Sequence, residues 1–454
     1  MTFRFPTARL ASGSTADFAL PGPQDIHRVP LDNGLVLLCR HHPHSPSVVV
    51  RGLLFAGAYW DPPQKMGLAA FTASMLKQGT QRYSHREIAD LLESRGASLN
   101  LAGHFHTVGF GGQALSEDLP LLLELLAQVL QAPTFPPEEV EKRRAQILTS
   151  LDLRAQDPAA MADLTFDAIL YRSHPYARPE EGFPETIQAV SREDLRAFHA
   201  RHYGPRRMIL VVVGAVPPAQ VEDLVRRYFE AWHNPKQPAE PELPPVPPLK
   251  SAVRRFVPIP EKSQADLVLG VVGPRRNSPD YFPAALGNSI LGRFGLMGRL
   301  GDVVREQAGL AYYVYSALNA GLGPGPWDVH AGVAPHHVPQ ALDLILGEIR
   351  RFISEPVTEE ELNDVKAAAL GRLPLSLETN AGVAGALLNM ELYGLGLDYL
   401  QRYPEWIRRV TREDVLETAR RYWDPDRLAI AVAGPAFPGS ENWPQGAPTP
   451  EWFL

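Results

Sequence analysis

Hydrophobic residues recur at helical spacing in several stretches of the chain. Between Gly67 and Lys77, apolar side chains return every three or four residues, and Gly79 follows as a stop signal. Ser84–Ser94 has a helical pattern too, with Ser84 as N-cap and Glu87 three residues later, the spacing of a capping box. Similar patterns predict helices over Leu119–Leu130, Pro136–Leu153, Arg192–His202, Tyr281–Leu291, Leu300–Gln307 and Glu359–Leu373.

Other apolar stretches are shorter and predict strands. The continuous apolar run Val48–Tyr59 is typical of a strand inside a sheet, and Asn33-Gly34 lies between two apolar runs, which predicts a tight hairpin turn. Further strands are predicted at Asn100–Gly111, Met208–Gly214, Ala265–Gly273 and Leu310–Leu318. Helices and strands mix without a regular β-α-β alternation, which favours an α+β fold.

The chain repeats itself. Ser191–Gly214 reads SREDLRAFHARHYGPRRMILVVVG, and Thr411–Gly434, 220 residues later, reads TREDVLETARRYWDPDRLAIAVAG, aligned without a gap. A second echo joins PPEEVEKRRA, from Pro136, to VTEEELNDVKA, from Val357. Two copies at so long a period indicate a duplicated domain and not a solenoid, which needs at least three short repeats.

A proline-rich segment separates the two copies. Asn234–Lys250 contains seven prolines, which make a segment stiff and unable to join a sheet. The sequence therefore predicts two tandem homologous domains, 1–233 and 251–454, joined by a linker at 234–250. Each domain is expected to be a mainly antiparallel sheet backed by helices.

The composition restricts the classes of function that this chain can have. The net charge of −7 over 454 residues does not favour nucleic acid or another polyanion. Cys39, the single cysteine, can form neither an intrachain disulfide nor a thiolate metal site, and its apolar surroundings predict a buried, inert thiol. Residues 1–22 lack the apolar core of a secretory signal, and no run of 18 apolar residues could span a membrane. A cytoplasmic protein is expected.

The segment GLAAFTASMLKQGT, Gly67–Thr80, resembles the active-site helix of the pitrilysin or insulinase-like metallopeptidases, the inverzincins. Their signature is H-x-x-E-H, in which two His on one helical face bind zinc and the Glu acts as general base. Here the frame is present, but Ala70 and Ser74 stand at the His positions and Ala73 at the Glu position. Alanine and serine cannot replace these ligands, so the resemblance implies a member that has lost zinc.

The resemblance covers two further elements of the first half. The family's third zinc ligand is a Glu on the long helix, and its spacing counted from Ser74 reaches Ser150. GASLNLAG, Gly96–Gly103, is similar to the family's strand after the metal helix, and Asn100 matches the Asn of that strand, although Leu101 and Gly103 depart from the family pattern. In the family this strand is an edge that pairs with extended substrate.

A second-half signature is present in full. VREQAGLAYYVYS, from Val304, resembles the family motif R-x-x-x-x-L-x-Y through Arg305, Leu310 and Tyr312. The resemblance implies that Arg305 and Tyr312 hold substrate and stabilise the oxyanion, as fixed donors do. Taken without the family, the Arg could serve the helix dipole and the tyrosines could be ordinary strand residues.

The segment LGRFGLMGRL resembles the family's glycine-rich loop, with Gly295 and Gly298 as candidate substrate-facing residues and Arg293 as a departure. It lacks the Lys-Ser/Thr of a phosphate loop, and an ordinary turn remains an alternative. His104 and His106 form an H-x-H on a predicted strand, a pattern that is more often structural than metal-binding.

These residues favour the non-catalytic subunit of a bacterial heterodimeric zinc peptidase. A motif-intact inverzincin partner would supply zinc and the general base, and this chain, which needs no cofactor of its own, would supply Arg305 and Tyr312. The substrates would be unfolded peptides, and a homodimer is conceivable when the chain is alone. The alternative is an inactive structural or peptide-binding scaffold. A third interpretation, an active hydrolase that uses other residues, is not favoured because no G-x-S-x-G motif occurs.

Overall fold

The computed structural model describes residues 20–239 and 242–453. The expectation about a secretory signal in residues 1–22 lies largely outside this range. The elements of the first half are β1 (His27–Pro30), β2 (Val36–His41), β3 (Ser47–Leu54), α1 (Leu68–Met75), α2 (His85–Glu93), β4 (Ser98–Gly103), β5 (Val108–Leu115), α3 (Leu119–Gln131), α4 (Pro137–Ala155), α5 (Pro158–Tyr171), α6 (Pro184–Gln188), α7 (Arg192–His202), β6 (Ile209–Gly214) and α8 (Pro218–Val225).

The second half contains β7 (Val253–Pro258), β8 (Ala265–Val272), α9 (Tyr281–Gly292), α10 (Gly298–Leu300), a π-helical turn (Gly301–Gln307), β9 (Ala311–Leu318), β10 (Pro326–Val333), α11 (Val338–Ser354), α12 (Glu359–Ser376), α13 (Asn380–Leu392), α14 (Tyr399–Arg409), α15 (Arg412–Tyr422) and β11 (Ala429–Gly434). The first sheet has the order β1-β2-β6-β3-β5-β4 and the second has the order β7-β11-β8-β10-β9. The two sheets thus have the same topology, with β1 as an extra strand in the first.

The duplication read from the sequence is a duplication of structure. Helix α7 and strand β6 recur as α15 and β11 at the same offset of 220 residues, and Ser191 and Thr411 cap the two helices in the same way. In both sheets one parallel pair, β2 with β6 and β7 with β11, sits among antiparallel pairs. The α+β fold with two mainly antiparallel, helix-backed sheets is confirmed.

Each sheet is covered on one face by helices of its own half and on the other by a helix of the opposite half. Leu387 of α13, with its apolar neighbours, packs on Val211 and Leu53 of the first sheet. Phe166 of α5 and its neighbours pack on Val268 and Ala431 of the second sheet. The two halves therefore exchange one helix each.

Several expected elements are present with small changes of boundary, and two expectations are wrong. The predicted strand Asn100–Gly111 is two antiparallel strands, β4 and β5, because the chain turns back where the amide of His104 donates to Thr107 O at 2.7 Å. The predicted strand Val48–Tyr59 ends at Leu54 and is followed by a short 3-10 turn. The hairpin at Asn33-Gly34 is confirmed, with Gly34 at φ +92°.

The described residues of the proline-rich segment, 234–239 and 242–250, form neither helix nor strand. Leu249 is buried against the cluster around α5, and Pro244 O lies 3.1 Å from Nε2 of His174. The segment therefore runs along the junction of the two halves, and its action as a linker between independent domains stays a prediction.

Candidate functional site

Three of the four positions at which the zinc peptidases carry their metal ligands and base come together. Ala70 and Ser74 on α1 face Ser150 on α4 across a cavity of ≈ 370 Å³. Ala73, at the base position, is buried and points toward the edge strand, where a Cβ added to Gly103 would lie 3.3 Å from the Cβ of Ala73. Ser150, which was selected by its spacing from Ser74, thus lies at the same cavity as the residues of the helix motif.

The start of α1 is fixed by a buried carboxylate that the sequence did not reveal. Asp61 accepts hydrogen bonds from the amides of Gly67, at 2.8 Å, and Ala69, at 2.9 Å. Burial raises the pKa of Asp61 to about 7, although these amides and the nearby Arg178 oppose the shift. Because Asp61 lies six residues before Gly67, it escapes the usual N-cap pattern.

The side chains at the four positions do not fit zinc. They are two methyl groups, on Ala70 and Ala73, and two hydroxyls, and both hydroxyls donate to their own helices: Ser74 Oγ to Phe71 O at 2.8 Å and Ser150 Oγ to a carbonyl one turn earlier at 3.1 Å. Zinc sites in proteins use imidazole, thiolate and carboxylate ligands. Across residues 20–239 and 242–453, no group of three His, Cys, Asp or Glu is arranged to hold a metal ion.

Asn100 is exposed on β4, the edge of the first sheet, but it does not line the cavity between α1 and α4. It faces the side of the sheet on which α13 lies, where it lines a separate cavity of ≈ 460 Å³ together with Arg51 and Leu388. The free edge of β4 remains available for pairing with an extended chain. A role of Asn100 in substrate binding stays a prediction.

Arg305 and Tyr312 flank a helix-to-strand turn in the second half. The amide of Gly309, at φ +66°, donates to Arg305 O at 3.1 Å, and the chain then enters β9, the edge of the second sheet. The side chain of Arg305 is 38% exposed, and its ion pair within the chain is a long one of 3.8 Å to Glu306. Tyr312 is 64% exposed. Both groups are accessible, and β9 occupies in its sheet the place that β4 occupies in the first.

The glycine-rich loop connects α9 to α10. Gly298 has φ +63°, and a Cβ there would lie 2.5 Å from Ile290 O, so the loop needs glycine at this position. Gly295, at φ +60°, has open space around it. Arg299, which sequence reasoning passed over, is buried and forms two hydrogen bonds with Glu361 of α12, at 2.6 and 2.7 Å. The cavity of ≈ 300 Å³ beside the loop has an acidic rim of Asp302, Glu360 and Asp364, which does not suit phosphate.

The two histidines of the H-x-H pattern lie in the turn between β4 and β5, not on a strand as predicted. Nε2 of His106 lies 2.6 Å from the hydroxyl of Tyr176. Burial and the neighbouring His174 lower the pKa of His106 to about 4. His106 is thus a neutral, hydrogen-bonded residue of the junction. His42, which follows β2, contacts Asn380 of α13 at 2.7 Å.

A charged cluster at the junction of the halves was also missed. His330 of β10 lies between Asp163 of α5, at 3.3 Å, and Asp328, at 3.2 Å, and Tyr315 stacks on its ring. Burial lowers the pKa of His330, but the hydrogen bonds to the two carboxylates outweigh burial and raise it to about 10. These residues are far apart in sequence, so no local pattern links them.

A duplicated sheet-and-helix fold, with a helix that keeps the frame of the metal-binding motif but has Ala and Ser at the ligand positions, defines a chain of inverzincin type. Comparison with known proteins agrees. Residues 36–182 match the family Insulinase (Peptidase family M16), and residues 189–369 match Peptidase M16 inactive domain. The chain belongs to the M16 peptidase family, as a member whose zinc-binding motif is replaced.

Relatives and solved structures cover nearly the whole chain. An uncharacterized zinc protease of Mycobacterium leprae is 28% identical over 90% of this chain and 92% of its own length. The uncharacterized zinc protease YmxG of Bacillus subtilis is 24% identical over 90% of this chain and 98% of its own length. A crystal structure of a peptidase M16 inactive domain from Pseudomonas fluorescens matches with a TM-score of 0.85 and 26% identity, covering 94% of this chain and 100% of that one. A protease from Helicobacter pylori shares the fold, with a TM-score of 0.85, 21% identity and coverage of 92% and 100%.

The helices of the described residues include none that is both long enough and apolar enough to cross a membrane.

Proposed function

We propose that this chain is the non-catalytic subunit of a heterodimeric zinc-dependent endopeptidase. A motif-intact M16 partner supplies zinc and the general base, and this chain supplies Arg305 and Tyr312 as donors to substrate and to the oxyanion. The observation that carries the proposal is a contrast between the halves. The first half has methyl and hydroxyl groups at the ligand positions, whereas the second presents an accessible Arg and Tyr in the family's setting.

The exposure of these two side chains supports a role outside the chain's own packing. A tyrosine that is 64% exposed contributes little to folding, and an arginine whose intrachain ion pair spans 3.8 Å gains little from it. A guanidinium and a phenol are good hydrogen-bond donors to a carbonyl oxygen that gains negative charge. In the assembled enzyme they would face the scissile peptide from the side opposite the partner's zinc.

The edges of the sheets supply a second element of substrate binding. Strands β4 and β9 each have a neighbouring strand on one side only. Some of their backbone groups already have other partners: Leu99 O on β4 accepts from Lys77 Nζ, and on β9 the Val314 amide contacts Met297 Sδ and Ser316 O accepts from Asn288 Nδ2. An unfolded peptide can add to such an edge as a further strand, whereas a folded protein cannot. Under this proposal the substrates are unfolded peptides, and Asn100 and the loop around Gly295 and Gly298 line their path in a cytoplasmic enzyme.

The first test measures peptidase activity on a quenched, unstructured peptide. This chain, a zinc-loaded motif-intact M16 chain from the same genome, and their mixture are assayed separately. Activity that arises or rises strongly only in the mixture supports the shared site. No gain, although size-exclusion chromatography shows that the two chains form a complex, contradicts it and favours the scaffold.

The second test is Arg305→Ala in the mixture. Loss of one oxyanion donor lowers kcat by about 100-fold to 1000-fold in enzymes, and we expect a decrease of this order without loss of complex formation. Arg350→Ala, an exposed arginine of α11, is the matched control and should leave kcat unchanged. An Arg305→Ala mixture with full kcat would leave the chain as a structural scaffold.

A further inference from the structure

A cavity lies between α1 and α4 at the positions where the family carries its metal ligands, although this chain has only small side chains there. One wall is apolar and is formed by Phe71, Ile147, Leu151 and Ile187. The small side chains of Ala70, Ser74 and Ser150 leave a volume of ≈ 370 Å³. This is enough for one amino-acid residue of moderate size, and most binding sites for small organic ligands combine such an apolar wall with a few polar groups.

The charged side chains at this cavity are mainly positive, whereas the ligands of a metal ion are negative or neutral. Arg143 and Arg154, three turns apart on α4, line the cavity together with one carboxylate, Glu181, which leaves a net positive charge. Arg154 is already engaged, because its Nη2 donates to Gly182 O at 2.7 Å and its Nη1 lies 3.4 Å from Glu181. Arg143 donates from Nη1 to Gln146 at 3.1 Å, and its unpartnered Nε is enclosed by protein. Its Nη2 has no hydrogen-bond partner among residues 20–239 and 242–453, so this nitrogen can reach a ligand. Among the described residues no carboxylate pairs with Arg143, so one positive charge is left for a ligand.

The two hydroxyls of the cavity act as acceptors toward a ligand. The hydroxyl groups of Ser74 and Ser150 donate hydrogen bonds to backbone carbonyls of α1 and α4, at 2.8 and 3.1 Å. A hydroxyl oxygen has two lone pairs, which here are free to accept a hydrogen bond from an amide N–H. The cavity thus offers a cation, hydrogen-bond acceptors and an apolar wall within one small volume.

We propose that this cavity binds the free C-terminal residue of a peptide. The carboxylate accepts charge-assisted hydrogen bonds from Arg143, of the kind that a guanidinium forms best. The amide N–H of the same residue donates to a serine hydroxyl, and an aliphatic side chain packs against Ile147 and Leu151. The site belongs to this chain alone, so it does not require the partner and does not depend on the proposed function.

The test is binding of two fluorescein-labelled tripeptides, Gly-Ala-Leu with a free carboxylate and the same peptide with a C-terminal amide, followed by fluorescence anisotropy with the purified full chain. We expect the free acid to bind at least tenfold more tightly than the amide. Arg143→Gln should reduce binding of the acid to the level of the amide. Arg86→Gln, whose side chain on α2 is 91% exposed, is the matched control and should bind like the unmodified chain.

A second variant removes the space and keeps the charge. Ala70→Leu places three more carbon atoms in the cavity and should abolish binding of the acid, while circular dichroism shows an intact fold. Equal binding of acid and amide, or normal binding by Arg143→Gln, would overturn the proposal. So would competition by 4-methylpentanoate that equals competition by N-acetyl-leucine, because a simple organic acid lacks the amide N–H.

Discussion

Nδ1 of His330 on β10 lies 3.3 Å from the carboxylate of Asp163 on α5. Helix α5 belongs to the first half and packs on the second sheet, so this charged contact joins the two halves. The other ring nitrogen, Nε2, lies 3.2 Å from Asp328. One imidazole thus joins two carboxylates from different halves of the chain, and it can do so fully only when it carries both protons.

This contact predicts a pH-dependent stability. The pKa of His330 is raised to about 10 in the folded chain, against about 6.5 for an unperturbed His. Its stabilising contribution is therefore complete below about pH 6.5 and is lost as the pH rises toward 10. His330→Gln should lower the free energy of unfolding by about 2 kcal/mol at pH 6, which is the range for hydrogen bonds to charged groups.

Urea unfolding of both proteins from pH 6 to pH 10 measures this difference, which should shrink as the pH rises. His336→Gln, at an exposed position in the 3-10 turn Pro335–His337, should show no such trend. A difference that stays constant across the range would mean that His330 is not protonated in the folded chain.

Tyr312→Phe tests the phenol of the proposed shared site. The ring stays on β9 and only the hydroxyl is lost, so complex formation should be unchanged. In the assembled peptidase kcat should fall by about 100-fold if the hydroxyl donates to the oxyanion. Tyr315→Phe, on the same strand, removes a hydroxyl from a ring that stacks on His330 and should have little effect on kcat. Similar rates for the two variants would remove Tyr312 from the site.

Leu387→Ala tests the packing of α13 on the first sheet. Leu387 is fully buried in this contact, and truncation of a buried Leu costs about 2–5 kcal/mol. Leu375→Ala, at a position 70% exposed near the end of α12, should change the free energy of unfolding by less than about 0.5 kcal/mol. Equal, small effects in urea unfolding would mean that α13 does not hold the halves together.

Cys39 should be inert in the folded chain. Its side chain is 1% exposed on β2, and burial, followed by the nearby Glu222, raises the pKa of its thiol well above the usual range. Since the thiolate is the reactive form, a chromogenic disulfide reagent should not label the native protein and should label one thiol per chain in guanidinium chloride. Fast labelling of the native protein would contradict the burial of β2.

Local patterns predicted the elements that local forces determine. Ser84 and Glu87 form the expected capping box on α2, and the repeated cap residues begin α7 and α15. Helix α5 was not predicted although Asp157 caps it and Pro158 is its first residue. It is buried on most of its sides between the halves and so lacks the polar face of an amphipathic helix. The turn at 104–107 was missed because it contains no Gly, Pro or Asn.

One part of the candidate site was predicted from the sequence, and other parts were not. Family spacing selected Ser150, and the structure brings it to the cavity of Ala70 and Ser74. Neither the unpaired Nε of Arg143 nor the contact of His330 with Asp163 could be read from the sequence, because both depend on how distant helices and strands meet. The exposure of Arg305 and Tyr312 is likewise a property of the turn into β9.

The exchange of α5 and α13 makes the two halves inseparable as folding units. A fragment that ended before residue 234 would contain α5 but not the second sheet, on which α5 packs. It would also lack α13, so the apolar face of the strands around Val211 would be exposed to water. The complementary fragment would have the same defect in reverse. The gene duplication thus produced an interlocked pair, in which either copy alone would expose an apolar sheet face to water, and only coexpressed fragments could rebuild the fold.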